Sequence, residues 1–157
     1  MGNPNILLTR VDNRLVHGQV GMIWAGSLGA NLIIVANDEA ATDPTQRSLM
    51  EMTAKFTEVG IRIFTLQHTA DIIYKASPHQ KIFIVARTPG DVLKLVKLGV
   101  PIKSVGLGNM HSAPGKRALN KKIYVDDQDM EDIHSLKALG VDVFIQDYPQ
   151  DRARPVE

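Results

Sequence analysis

The residues best suited to chemistry lie between Arg10 and Trp24, in the segment RVDNRLVHGQVGMIW. This segment places a histidine, His17, close to two arginines, Arg10 and Arg14, and one carboxylate, Asp12. A neutral imidazole is nucleophilic above its ordinary pKa of about 6.5. Guanidinium groups donate paired hydrogen bonds to phosphate oxygens. The combination predicts a histidine that accepts a phosphoryl group and gives it up again.

Phosphoryl transfer passes through a loose transition state with charge on three equatorial oxygens, so its catalysis depends on positioning and charge stabilisation. Arg14 and Arg10 are predicted to donate hydrogen bonds to these oxygens. The backbone N–H groups of Gly18 and Gln19 are predicted to add the anion site of a helix N-terminus. Asp12 is expected to orient the imidazole ring or to pair with an arginine. This chemistry requires neither a metal ion nor a cofactor, so we expect none.

The same residues also have plain structural interpretations. A lone histidine is more often structural or an ordinary surface residue, and two arginines beside an aspartate often form only a solvated charge network. Trp24, on an apolar helical stripe, is more typical of a core than of a ligand platform. The other histidines have no metal-ligand spacing, and only His111 follows a predicted strand; they are His68, His79, His111 and His134.

Short apolar runs alternate with amphipathic segments along the chain, and these elements must position the candidate residues. Runs rich in Ile, Val, Leu and Phe are typical of strands covered on both faces. They predict strands at 6–9, 32–35, 62–66, 81–86, 104–107, 122–125 and 141–146. The alternation predicts an α/β fold, a single-domain open and mainly parallel sheet of about seven strands with helices on both faces. Residues 108–120 lack a helical stripe, and one late strand could run antiparallel.

Capping residues and apolar stripes predict the helices. The first runs over about 18–28, with an apolar stripe of Val20, Ile23, Trp24 and Leu28. A second begins at Asp43-Pro44 and carries Leu49, Met52, Thr53 and Phe56 on one face. A weaker helix is predicted over 69–76, and two more begin at Thr88-Pro89 and at Asp126 or Asp127, ending at Gly99 and Gly140.

Composition limits the class of protein. The 157 residues fit one domain spanning 1–157, with about 150–157 expected to be a solvated tail or a partner-dependent arm. Eighteen basic and 17 acidic residues give a net charge of +1, which offers no support for nucleic acid or an anionic membrane as the main partner. The absence of cysteine excludes disulfides and thiol chemistry. Without a signal peptide or an apolar run near ~20 residues, we expect a cytoplasmic protein that does not insert into a membrane.

The loops that follow the predicted strands supply further candidates, because ligands of open α/β sheets bind beyond the carboxyl ends of strands. Asn37 and Asp38 follow the second strand, Arg87 the fourth, and Asn109 the fifth. Asn37 and Asp38 are also typical turn residues, and the pattern Gly-x-Gly at 106–108 fits a simple turn. The motifs GxGxxG and GxxxxGK[ST] are missing, which weakens a dehydrogenase or NTPase interpretation.

The ordered string RVDxRLVHGQV, residues 10–20, closely resembles the active-site motif of enzyme IIB components of the mannose/sorbose family of the bacterial sugar phosphotransferase system. The segments VANDEAATDPTQRSLMEM, RTPGDVLKLVKLGVP, VGLGNMH and GVDVFIQDYP are also similar, so the resemblance covers nearly the whole chain. The N-acetylgalactosamine/galactosamine branch is the most similar in NILLTRVDNRLVHGQVG, PHQKIF, GNMH and YVDDQD.

The resemblance implies that His17 is phosphorylated on Nδ1 by enzyme IIA. The phosphoryl group would then pass to a sugar that crosses the membrane complex IIC/IID, an amino sugar such as N-acetylgalactosamine or galactosamine, or otherwise a mannose-family hexose. Arg14 would be the arginine beside the phosphohistidine, with Arg10 and Asp12 in the same loop. Other family-like loop positions are Asn37, Asp38 and Asn109. The subunit would associate peripherally with the membrane transporter.

Two other classes remain open. The first is a doubly wound module that binds a small anion or nucleotide at the same strand ends without catalytic turnover. The second is a regulatory protein that binds partners through the His17 face. The sequence also leaves open homo-oligomer formation and the identity of the sugar.

Overall fold

A computed structural model describes residues 3–55 and 57–156 of the chain. The strands are β1 Asn5–Asp12, β2 Leu32–Ala36, β3 Gly60–Phe64, β4 Lys81–Ala86, β5 Ser104–Asn109, β6 Arg117–Ala118, β7 Tyr124–Val125, β8 Asp142–Ile145 and β9 Arg154–Pro155. The helices are α1 Val20–Leu28, α2 Asp38–Thr42, α3 Pro44–Ala54, α4 Leu66–Ile72, α5 Pro89–Lys97 and α6 Asp127–Ala138, and a 3₁₀ turn, Ile73–Lys75, follows α4. Within the described ranges, no helix is long and apolar enough to cross a membrane.

The main sheet has seven strands in the order β3-β2-β4-β1-β5-β8-β9. All neighbouring pairs are parallel except β8 and β9. This confirms the predicted seven-stranded, mainly parallel sheet with one antiparallel strand. The identity of one strand differs from the prediction, because β7, at the predicted strand 122–125, pairs only with β6 in a small separate sheet.

Helices cover both faces of the sheet, as predicted. Trp24 of α1 and Met50 of α3 pack with Phe83 on one face, whereas Leu95 of α5 and Ile133 of α6 pack with Ile84 on the other. The chain leaves β1 towards the β3 edge and leaves β5 towards the β9 edge. Since crossovers between parallel strands are right-handed, opposite directions place the helices on opposite faces. The carboxyl ends of β1 and β5 therefore flank a topological switch point, where ligands of such sheets bind.

The face of α3 that packs on the sheet was predicted incorrectly. Leu49 and Met52 are 61% and 64% exposed, and Met50 and Ala54 face the sheet instead. Arg47 shares that inward side, where its Nη1 donates to the Ile63 carbonyl at 2.9 Å. An arginine on the buried side hides the true apolar stripe from a pattern of hydrophobic residues. Ile23 of α1 is likewise 44% exposed, and Phe56 lies outside the described residues.

Two further boundaries differ from the prediction. The third strand ends at Phe64 rather than at residue 66, because the Thr65 hydroxyl accepts a hydrogen bond from the His68 N–H at 3.0 Å and starts α4 at Leu66. The carboxyl-terminal segment is not simply a solvated tail. Its β9 pairs with β8, Val156 is buried, and the Lys137 ammonium donates to the Val156 carbonyl at 2.6 Å.

Candidate functional site

The loop after β1 is shaped by Asp12, the last residue of that strand. The buried Asp12 carboxylate accepts a hydrogen bond from the Arg14 N–H at 2.9 Å, and the Asp12 carbonyl accepts from the Leu15 N–H at 2.9 Å. Leu15 adopts a left-handed backbone with φ 58°, a conformation that costs a leucine about 1–3 kcal/mol. Burial of the Leu15 and Val16 side chains offsets this cost. The tight turn delivers His17 to the start of α1.

The His17 ring is held against this turn. Its Nδ1 lies 3.3 Å from the Leu15 carbonyl oxygen and 4.0 Å from Asp12 Oδ2. Its Nε2 is buried and has no hydrogen-bond partner among the described residues. Because a carbonyl oxygen only accepts, Nδ1 is the donor in this placement. The site therefore holds an imidazole whose Nε2 has no partner among the described residues.

The N-terminus of α1 lies next to this imidazole. Gly18 adopts φ 50°, and the N-cap residue Gln19 makes no side-chain hydrogen bond to the helix. The first turn of α1 also contains no acidic residue. The positive end of the helix dipole is therefore not neutralised by a local carboxylate, and it suits an anion.

A cavity of about 390 Å³ opens at the carboxyl ends of β1 and β5, and His17 lies in its wall. Asn109 and His111 line the β5 side, and their side chains approach to 3.4 Å between Nδ2 and Nε2. The charged lining residues are Arg10, Arg14, Lys121, Lys122, Asp12 and Asp147. Four cations against two carboxylates give the cavity a positive balance that suits an anionic group.

Arg14 is a cation available to such a group. Its side chain is exposed, and its guanidinium has no hydrogen-bond or ion-pair partner in the described part of the chain. It lines the His17 cavity and also a second cavity of about 330 Å³ on the other side of the loop, beside Gln46 and Leu49. Arg14 and His17 therefore line both cavities.

Arg10 is placed differently from the prediction. Its guanidinium is buried, and Nη1 and Nη2 donate to the carbonyls of Gln146 and Asp147 at 2.7 and 2.9 Å. The guanidinium carbon lies 4.7 Å from the centre of the Trp24 ring, whose Nε1 also donates to the Asp147 carbonyl at 3.1 Å. Both terminal nitrogens are thus used on residues 146–153, the β8–β9 loop. Arg10 therefore ties this loop to β1, although it also lines the cavity and its Nε has no partner among the described residues.

The buried position of Arg10 has an electrostatic consequence. Burial lowers the pKa of the guanidinium below its ordinary value, and the carboxylates of Asp12 and Asp147 oppose this shift.

Gly108 on the neighbouring strand leaves room for the Arg10 guanidinium, because a Cβ at residue 108 would collide with it. The sequence pattern at 106–108, interpreted as a simple turn, instead lies inside β5.

Asn13 is a site residue that the sequence analysis missed. Its N–H donates to the Asn109 carbonyl at 2.9 Å, and its Oδ1 accepts from the His111 N–H. Its Nδ2 lies 3.5 Å from the Arg87 carbonyl. Asn13 therefore joins the ends of β1, β4 and β5. The available signal was a polar side chain directly after a strand, which many turns share.

Asn37, Asp38 and Arg87 do not line the His17 cavity, in contrast to Asn109. Asn37 Oδ1 caps α2 through the Ala40 N–H at 2.8 Å, and Asp38 Oδ1 accepts from the Leu66 N–H at 2.8 Å. The Arg87 guanidinium lies 3.4 Å from the Glu39 carboxylate and 3.2 Å from the side-chain Oε1 of Gln46. These hydrogen bonds and this ion pair hold the neighbouring loops.

The far wall of the cavity was also missed. Lys122 and Asp147 form an ion pair at 2.7 Å, and the Lys122 ammonium lies 5.3 Å from the centre of the Tyr148 ring. The hydrogen bond that the Lys122 ammonium donates to the Asp147 carboxylate raises the pKa of Lys122 above its ordinary value, so Lys122 is a cation at neutral pH. Lys122 belongs to the segment between β5 and β7, and Asp147 to the β8–β9 loop.

Fold and cavity together define an α/β protein with a histidine, an arginine unpaired among the described residues and an open helix N-terminus at one positively charged cavity. Comparisons with known proteins give the family. Residues 6–157 match the family described as the PTS system sorbose subfamily IIB component. The chain therefore belongs to the sorbose subfamily of PTS IIB components, which are phosphotransferases.

The chain is 52% identical over 156 residues to the N-acetylgalactosamine-specific phosphotransferase enzyme IIB component 1 of Escherichia coli (strain K12), covering 99% of each. Its structure is similar to the crystal structure of PTS system N-acetylgalactosamine-specific IIB component 1 from Escherichia coli, with a TM-score of 0.95, 52% identity, and coverage of 98% of this chain and 100% of that one. It is also 31% identical over 147 residues to the PTS system mannose-specific EIIAB component of Escherichia coli (strain K12), covering 88% of this chain and 43% of that protein.

Proposed function

We propose that the protein is a cytoplasmic phosphocarrier that accepts a phosphoryl group on His17 from enzyme IIA. It then passes the group to a sugar during transport through the membrane complex IIC/IID. The observation that carries this proposal is the shared position of His17, the free Arg14 guanidinium and the open α1 N-terminus at one positively charged cavity. Membership of the PTS IIB family supports the same reaction class.

Acceptance of the phosphoryl group exchanges one P–N bond for another. The bond to the donor nitrogen on enzyme IIA breaks as the bond to a His17 nitrogen forms. His17 gives up its ring proton as it is phosphorylated, and the freed donor ring of enzyme IIA takes up one proton, so atoms and charge balance. Arg14 donates to the equatorial oxygens, where the transition state gathers charge. The N–H groups at Gly18 and Gln19 add the α1 terminus. Arg10 contributes indirectly, by holding the β8–β9 loop in place.

The family resemblance points to Nδ1 as the phosphorylated nitrogen. In the structure this nitrogen faces the Leu15 carbonyl at 3.3 Å. Phosphorylation on Nδ1 therefore requires that Nδ1 lose its proton and that the ring turn so that Nδ1 faces the cavity. The loop backbone does not have to change for this turn, because only the side-chain torsions of His17 rotate.

Delivery to the sugar forms an O–P bond as the N–P bond breaks. The sugar hydroxyl loses its proton, which goes to the freed His17 nitrogen and restores the imidazole. The Asp12 carboxylate, 4.0 Å from His17 Nδ1, favours this proton uptake by charge attraction. The names of the similar E. coli proteins support an amino sugar such as N-acetylgalactosamine as the acceptor.

Partner docking is supported by the surface beside the His17 loop. Leu49 and Met52 on α3 are largely exposed, and Leu49 lines the second cavity together with Arg14. An exposed apolar area beside a reactive group is typical of a protein interaction site. We propose that enzyme IIA and IIC/IID approach His17 over this surface in turn. The matched relative named EIIAB is consistent with a IIA partner.

The proposal is tested by reconstituting sugar phosphorylation from purified components. The chain is combined with phosphorylated enzyme IIA and vesicles that contain the N-acetylgalactosamine IIC/IID complex, and sugar phosphate is measured. We expect N-acetylgalactosamine phosphate with the parent, none with His17→Ala, and parental rates with His79→Ala, an exposed histidine just before β4. Sugar phosphate formation by His17→Ala at the parental rate would contradict the proposal.

A further inference from the structure

The ion pair between Lys122 and Asp147 lies in the wall of the same cavity as His17. Its Nζ–Oδ2 distance is 2.7 Å, although the two side chains are 48% and 34% exposed. Such a partly exposed pair contributes little to folding stability. Its position in a cavity suited to an anion is therefore better explained by binding than by stability.

Both members of the pair are fixed by their backbones. The Asp147 carbonyl accepts hydrogen bonds from Arg10 Nη2 at 2.9 Å and from Trp24 Nε1 at 3.1 Å. On the other side, the Lys122 carbonyl accepts from the Met110 N–H at 2.8 Å, and the Lys122 N–H donates to Asn120 Oδ1 at 2.8 Å. Either side chain can change partner while its backbone stays in place.

A phosphoryl group carries a charge of about −1.5 to −2 at pH 7, more than a carboxylate. When it enters the cavity, it competes with Asp147 for the Lys122 ammonium. The long and flexible lysine side chain provides a mobile point charge for this exchange. The exposed fraction of Lys122 leaves room for its ammonium to move.

We propose, on the basis of the proposed function, that Lys122 is a further phosphate-binding residue and that Asp147 is its exchangeable internal anion. Before phosphorylation, Asp147 neutralises Lys122 and keeps the cavity from being overcharged. After phosphorylation of His17, Lys122 turns to the phosphoryl oxygens and Asp147 turns to water. The exchange limits the stability of the phosphorylated state, so that the group can be passed on.

A double-mutant cycle tests this exchange. The equilibrium fraction of chain phosphorylated by enzyme IIA is measured for the parent, Lys122→Gln, Asp147→Asn and the double variant. We expect Lys122→Gln to lower the phosphorylation equilibrium constant about three- to tenfold and Asp147→Asn to raise it by a similar factor. The gain from Asp147→Asn should fall to less than half, in logarithmic terms, when Lys122 is replaced. Lys103→Gln, at an exposed position just before β5, is the matched control for the loss of one lysine charge.

An equal gain from Asp147→Asn in both backgrounds would overturn the proposal, since Asp147 would then act by simple repulsion. An unchanged equilibrium constant for Lys122→Gln would also overturn it. The same cycle is repeated by titrating unphosphorylated chain with inorganic phosphate and following the backbone NMR signals of Lys122 and Asp147. If the parent carries no phosphate on His17, the proposed function fails, and the phosphate titration alone decides whether Lys122 exchanges partners.

Discussion

At the scale of single residues, Arg10 and Arg14 show how one side-chain type serves two purposes. Arg14 lies in the loop with a free guanidinium, whereas Arg10 lies in β1 with both terminal nitrogens on backbone carbonyls. The sequence predicted both as phosphate donors because type and spacing were the available information. The partners of Arg10 stand 136 and 137 residues away, so local patterns cannot distinguish the two arginines.

The first prediction concerns Arg14. Arg14→Ala should slow phosphoryl transfer from enzyme IIA to His17 by about 10²–10³-fold, because it removes one charged donor from the transition state. The melting temperature should stay unchanged, since the guanidinium has no partner within the described residues and its side chain is exposed. Single-turnover rates and thermal denaturation measure the two effects.

Arg14→Lys is the control, and it should recover part of the rate because it restores the charge without the planar fork. A parental rate for Arg14→Ala would show that Arg14 does not contact the transferred group.

At the scale of elements, the site depends on how closely β5 approaches its neighbours. Gly106 and Gly108 leave room for two side chains, since a Cβ at Gly106 would lie 3.2 Å from the Phe144 ring and a Cβ at Gly108 would collide with Arg10. The sequence pattern suggested a turn, because glycines in a strand are unusual unless another group approaches closely. The group that approaches is known only once β1, β5 and β8 are assembled.

The second prediction concerns this close approach. Gly108→Ala should displace the Arg10 guanidinium, break its two hydrogen bonds to the β8–β9 loop, and lower the free energy of unfolding by about 1–3 kcal/mol. Phosphoryl transfer should slow as well, because the loop forms one wall of the cavity. Urea denaturation and single-turnover kinetics provide the measurements.

Gly26→Ala, in the interior of α1, is the matched control. An added Cβ meets nothing within 4 Å there, and alanine should stabilise the helix by about 0.5–1 kcal/mol. If Gly108→Ala were as stable as the parent, the proposed link between Arg10 and the β8–β9 loop would not contribute to folding.

At the scale of the whole molecule, apolar runs alternating with capped helices predicted the central sheet but not the order of the strands within it. They did not predict β9, because this two-residue strand is too short for an apolar pattern and is held by the edge of β8 and by Lys137. The loop with His17 was likewise predictable from local residue types. The opposite wall was not, because Lys122 and Asp147 meet only through tertiary structure.

The central claim is that His17 carries the phosphoryl group. The most direct test is to incubate the intact chain with phosphorylated enzyme IIA and to locate the phosphate by peptide mass mapping, with His79→Ala as the matched control. We predict one acid-labile, base-stable phosphoryl group on His17, absent from His17→Ala and present in His79→Ala. Stable phosphate on another residue, or full labelling of His17→Ala, would contradict the account.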